Sequence, residues 1–155
     1  LASTEAKRRQ ALKVGCIAAL DAEAPDTLGS IRELTDGKGA HVVFDSIGKA
    51  TVELSLASLR PRGHLVLFGN ASGDLTDFNL SRLGQMGSLH VTRPSLKHYI
   101  GGDAELTHAA ARVLQAVSSG AIRLPPIAHF PLALAAQAHC AMQYRQTQGS
   151  LILVP

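Results

Sequence analysis

Leu59-Arg-Pro-Arg-Gly-His-Leu-Val-Leu-Phe-Gly-Asn-Ala-Ser-Gly73 decides the fold. His64-Leu-Val-Leu-Phe68 is the strongest strand candidate in the chain, rich in residues that suit a buried pleated surface. Arg60-Pro-Arg-Gly63 before it reads as a turn and Gly69-Asn-Ala-Ser-Gly73 after it as a loop. Upstream, His41-Val-Val-Phe-Asp45 is a strand without polar–apolar alternation, as expected of a parallel strand covered on both faces. Between the two, Gly48 to Leu59 predicts a helix, with Val52, Leu56 and Leu59 on one face at i, i+4, i+7 spacing. Apolar runs alternating with helical patterns make the fold class α/β.

The same alternation continues outward. Thr4 is placed to N-cap a helix that carries Glu5 in its first turn and ends at Gly15. Ile17-Ala-Ala-Leu20 is a short, weak strand. Asp26 or Thr27 opens a helix through Ile31 and Leu34, closed by Asp36-Gly37. Downstream come a short helix near Leu80–Gln85, a strand Ser88-Leu-His-Val-Thr92, a helical turn after Pro94 and a long helix from Ala104 to Ser119 ended by Gly120. Ile127–Phe130 reads as extended, Leu132–Tyr144 as an Ala-rich helix and Leu151-Ile-Leu-Val154 as a closing strand. Pro125-Pro126 is the best candidate boundary.

Composition narrows the function classes. With 155 residues, 46% hydrophobic and 17% charged, the chain has one domain's worth of length and enough apolar surface for a core. The net charge is +3, and no basic run exceeds Lys7-Arg8-Arg9, so a nucleic-acid stripe is weakly supported. No apolar stretch approaches membrane-spanning length. Cys16 and Cys140 lie far apart and fit neither a disulfide framework nor a zinc pattern. The seven histidines are scattered, none at ligand spacing with another His, Cys or carboxylate, so no metal site is expected. Ser–His–Asp chemistry lacks its elbow motif. The start lacks Met and the apolar segment of a signal peptide, which predicts a cytoplasmic protein and a chain picked up in the middle of a longer one.

Two strands end in ligand-friendly residues, Asp45-Ser-Ile-Gly48 and Phe68-Gly-Asn70. Ligands of open parallel sheets sit beyond such carboxyl ends, although ordinary strand-to-loop turns explain the residues equally well. A G-x-G-x-x-G fingerprint after a strand is absent, as is a Walker A pattern; Gly37-Lys-Gly39 precedes a strand instead. Lys7, Arg8 and Arg9 stand in the first turns of a helix, where the dipole disfavours positive charge. A bound phosphate would relieve this, and a solvated helix face is the simpler reading. Arg145 has the same two readings, an anion ligand or a complement to a helix C-terminus.

Several blocks, in order, resemble the NADPH:quinone oxidoreductases, the zinc-free, zeta-crystallin-like branch of the medium-chain dehydrogenase/reductase superfamily. They are Asp45-Ser-Ile-Gly-Lys-Ala-Thr51, Ser55-Leu56, Leu59 to Gly73, Gly87-Ser-Leu-His-Val-Thr-Arg-Pro-Ser-Leu96 with Tyr99-Ile100, and Tyr144-Arg-Gln-Thr-Gln-Gly-Ser-Leu-Ile-Leu-Val-Pro155. The resemblance runs essentially from end to end. It implies a partial Rossmann fold, a doubly wound parallel sheet lacking its first strand, its Gly-rich loop and most of its second strand, which would end at Leu1-Ala2-Ser3. Residues 1–124 would form this incomplete NADP-binding domain and residues 125–155 a helix–strand tail that packs on a GroES-like catalytic domain. With its sheet incomplete, the chain is expected to be part of a longer polypeptide, rearranged or oligomeric.

Site roles follow from the same resemblance. Ser3 and Thr4 take the place where NAD-preferring proteins carry an acidic residue, leaving room for a 2′-phosphate. Lys7 and Arg145 match the phosphate-binding pair, which favours NADPH over NADH. Ser46 and Gly48 would border the cofactor, Phe68, Gly69 and Asn70 its nicotinamide half, with Gly149 also close. Arg93 would face the substrate cleft or a dimer contact. The strand at 88–92 would pair two copies into a homodimer. Asp21-Ala22 departs from the family's Asn-Tyr beside the adenosine. The implied activity is hydride transfer from NADP(H) to a quinone or enone, with catalytic residues supplied from outside this chain. Three other readings stay open: a non-catalytic NADP(H)- or nucleic-acid-binding module, a purely structural dimerising element, and a zinc-independent alcohol dehydrogenase-like or enoyl reductase of the same superfamily.

Overall fold

The computed structural model describes residues 1–144, 146, 147 and 149–155. The elements in chain order are α1 (Glu5–Lys13), α2 (Thr27–Glu33), β1 (Ala40–Asp45), α3 (Val52–Ala57), β2 (Leu59–Leu67), α4 (Ser81–Gln85), β3 (His90–Thr92), α5 (Asp103–Ser118), β4 (Ile127–Pro131), α6 (Ala135–Gln143) and β5 (Ser150–Val154). Short 3-10 turns cover Leu96–His98 and Leu132–Leu134. The chain divides into two units, Ala24–Thr107 and a second made of Leu1–Glu23 with His108–Pro155.

In the Ala24–Thr107 unit, β1, β2 and β3 form a parallel sheet in that order. The predicted apolar stripe is real. Val52 and Leu56 of α3 and Leu59 at the start of β2 are buried with Leu65 and Leu89, and Val43, Leu75, Phe78, Leu83 and Met86 pack around them. The α3 helix is shorter than the expected Gly48–Leu59. Gly48 has φ +92°, a left-handed turn that delays the helix until Val52. The expected turn Arg60–Gly63 lies inside β2. Ala40 pairs Leu59 and Val42 pairs His64, so two steps along β1 answer five along β2, and the surplus is accommodated as a bulge.

In the other unit, β4 and β5 pair in parallel from Ile127 with Ser150 to Pro131 with Val154, and α6 connects them and packs on both. Helix α1 is capped as expected: the Lys7 amide donates to the Thr4 hydroxyl at 3.3 Å. Ile17–Leu20 does not form a strand. A strand needs a continuous ladder, and the described rung here is Ala2 N–H to Leu20 C=O at 3.0 Å, with Ile17 92% exposed. No helix among the described residues is long and apolar enough to cross a membrane.

Candidate functional site

The carboxyl ends of β1 and β2 are organised around Asp45, which is buried. One carboxylate oxygen, Oδ1, accepts from the amides of Ile47 (2.8 Å) and Gly48 (3.1 Å) and from the Thr51 hydroxyl (2.9 Å). The other, Oδ2, lies 2.8 Å from the Thr51 hydroxyl and 2.7 Å from the Ser55 hydroxyl. Burial pushes the carboxyl pKa up, but the Ser55 and Thr51 hydroxyls and the Gly48 and Ile47 amides outweigh it and hold the group below its ordinary value. Asp45 therefore stays ionised and fixes the turn that carries Ser46, Ile47 and Gly48. Reading the sequence for ligand contacts passed over this residue. The available signal was an aspartate at a strand end followed by hydroxyls at Thr51 and Ser55, one helical turn apart.

Against this turn lies the end of β2. Phe68 N–H donates to Asp45 C=O at 2.9 Å, and Ser72 N–H donates to Ile47 C=O at 2.8 Å. Gly69 is required by close approach: a Cβ there would stand 2.4 Å from the Ser46 carbonyl oxygen. The result is a cleft of about 320 Å³ lined by Gly48, Gly69, Asn70 and Arg93, with Leu67 and Leu75 as its apolar wall. Asn70 Nδ2 donates to Asp74 at 2.6 Å, and Arg93 Nη1 reaches the Leu67 carbonyl at 3.3 Å. Four of the expected site residues thus share one cleft. Ser46 contributes main chain packed against Gly69, and Phe68 is largely exposed beside the same strand end.

The remaining candidates belong to the other unit. Thr4 is committed as the N-cap of α1. The basic cluster is not a uniform solvated face. Arg8 pairs with Asp21 at 2.8 Å and donates to Ala2 C=O at 3.0 Å, while Arg9 pairs with Glu5. Asp21, the departure noted above, thus anchors α1. Among the described residues the Lys7 ammonium has no ion-pair partner. Ser3 is exposed just before the cap. A Cβ on Gly149 would lie 2.1 Å from the Pro126 carbonyl oxygen, so this glycine is needed where β4 and β5 begin their pairing. Arg145 lies outside the described residues.

The sequence profile of the zinc-binding dehydrogenases matches residues 1–118. The chain belongs to this family. Among its relatives, quinone oxidoreductase 1 of Escherichia coli K12 is 42% identical over 154 residues, covering 98% of this chain and 47% of its own length. A 2-haloacrylate reductase of Burkholderia is also 42% identical, with 99% and 46% covered. The crystal structure of Escherichia coli quinone oxidoreductase complexed with NADPH superposes with a TM-score of 0.90 at 42% identity, over 99% of this chain and 48% of that one. The chain spans about half the length of these relatives, and its sheet is correspondingly a partial Rossmann arrangement. Despite the family's description, no group of three or more His, Cys, Asp or Glu among the described residues could hold a metal ion. The donor set does not fit zinc, and no chemistry is assigned to it.

Proposed function

We propose that this chain is the NADP(H)-binding half of an NADPH-dependent quinone or enone oxidoreductase. The observation that carries the reading is the cleft at the carboxyl ends of β1 and β2, where glycine backbone, Asn70 and Arg93 meet an apolar wall. Such a cleft, mostly apolar with a few placed polar groups, fits a flat nicotinamide ring with its carboxamide. Similarity to a quinone oxidoreductase crystallised with NADPH supports the cofactor. Similarity to a 2-haloacrylate reductase supports an electron-poor alkene as an alternative acceptor to a quinone.

When bound, NADPH supplies the hydride. The residues of this chain bind and orient. Asp45 holds the Ser46–Gly48 turn at the cleft floor. Gly69 admits close approach and Asn70 offers an amide to the carboxamide. Lys7, with Arg145, recognises the 2′-phosphate beside the small side chains Ser3 and Thr4. Phe68, Gly149 and Arg93 complete the cofactor contacts. No residue of this chain is assigned to proton transfer, and the chain alone is not expected to turn over substrate. Residues 1–124 form the nucleotide-binding portion and residues 125–155 a tail for a catalytic domain. Segment 88–92, whose β3 is a free sheet edge, pairs two copies into a homodimer. A cytoplasmic location completes the reading.

Titration with NADPH and NADH, followed by nicotinamide fluorescence, tests it. NADPH binds more tightly than NADH, and Lys7→Gln removes about tenfold of that preference. Equal affinity for the two nucleotides rejects the NADP(H) preference, and binding of neither rejects the reading of this chain as a nucleotide-binding module on its own.

A further inference from the structure

At the opposite end of the sheet from the cleft, where β1 and β2 begin, lies a second cavity of about 620 Å³. Four of its eight lining residues are cationic (Arg32, Lys38, Arg60 and Arg62) and none is acidic. In a chain of net charge +3 this is a concentrated positive site. Among the described residues none of the four cations has an ion-pair partner.

The arrangement is built by the backbone. Arg62 has φ +62°, a left-handed conformation that is strained for a non-glycine residue. It is held there by the bulge in β2 and by its N–H donating to the Gly87 carbonyl at 2.7 Å. Arg60, Pro61 and Arg62 of this bulge all line the cavity. Arg32, which lines the same cavity, is anchored through Nη2 to the Ala57 carbonyl at 2.7 Å. Gly39 makes room for both sides: a Cβ there would stand 2.6 Å from Arg32 Nη1 and 2.8 Å from the Arg60 amide nitrogen. Four cations thus gather with no protein counter-charge around one open depression, a field that attracts an anion.

We propose that this cavity is a binding site for a small polyphosphate, a di- or triphosphate group taken by the guanidinium forks of Arg32, Arg60 and Arg62 with Lys38 as a point charge. It shares no lining residue with the nicotinamide cleft and stands independently of the cofactor reading. The probe is inorganic pyrophosphate, titrated calorimetrically into the full chain at low ionic strength. One site is expected, weakened at least tenfold by Arg60→Gln and by Arg62→Gly. Glycine adopts the left-handed conformation without penalty, so Arg62→Gly removes the cation while keeping the bulge. Lys97→Gln, an exposed lysine elsewhere in the same unit, changes the affinity less than twofold. Unchanged affinity in both arginine variants overturns the proposal. So does a chain that takes no pyrophosphate yet binds single-stranded RNA oligonucleotides through Arg60 and Arg62.

Discussion

The Ala24–Thr107 unit and the unit made of Leu1–Glu23 with His108–Pro155 use the same parallel strand pairing and differ in what they bury. The first encloses Val52, Leu56, Leu59, Leu65 and Leu89. In the second, Ala138 is the one fully buried hydrophobic among the described residues. The cause is the connecting helix. Between β1 and β2, α3 brings branched side chains down onto the sheet. Between β4 and β5, α6 is Ala-Ala-Gln-Ala-His-Cys-Ala-Met-Gln and its buried contact is a methyl group. At about 25 cal/mol per Å² of apolar area, a methyl contributes far less than a leucine. One topology therefore yields a leucine-rich core in one place, with Val42 and Phe44 of β1 still exposed, and a thin pairing in the other.

Truncation of core leucines breaks or sharpens that contrast most directly. Leu56→Ala should destabilise the Ala24–Thr107 unit by about 3 kcal/mol, and amide exchange at Leu65 and Val66 should quicken by about a hundredfold. Leu114→Ala, at a site 68% exposed, should change stability by less than about 0.5 kcal/mol. Equal effects of the two substitutions would erase the distinction between the units.

The next effect is electrostatic. Asp45→Ala leaves two hydroxyls and two amides without their acceptor and should cost about 2 kcal/mol by denaturant titration. The sign with pH follows from the lowered pKa. The contribution of Asp45 is present above the ordinary aspartate value of roughly 4 and is lost as pH falls through the lower folded-state value. Acid titration of the wild type should therefore show a loss of stability that Asp45→Ala lacks. Identical acid profiles would mean that the carboxylate does not organise the turn.

The smallest effect belongs to the thinly packed unit. Thr4→Ala should cost about 1 kcal/mol through the lost N-cap, read as faster exchange of the Lys7 amide with little change at Val66. Coupled loss at Val66 would show that the two units unfold as one.

Much of this was legible residue by residue. The β1 strand, the His64–Leu67 part of β2, the Val52–Leu56–Leu59 stripe and the Thr4 cap are local patterns, and they formed where spacing and propensity placed them. The Ile17–Leu20 strand failed because its apolar residues say nothing about whether a neighbour supplies the ladder. Arg60–Gly63 reads as a turn but lies inside β2 as a bulge, since pairing with β1 resumes only at His64. Gly48, Gly69, Asn70 and Arg93 were each visible as candidates. Their convergence on one cleft depends on strand register, which no single segment carries.

By itself the sequence determined the α/β class, the parallel βαβ core and the resemblance to quinone oxidoreductases. These rest on residue type and spacing within short windows. Only the tertiary structure decided that Asp45 organises the cleft, that Asp21 anchors α1 through Arg8, and that Arg32, Lys38, Arg60 and Arg62 share one cavity. Those facts depend on burial and on distances between residues far apart in the chain, and such distances are set by how strands pair and helices pack.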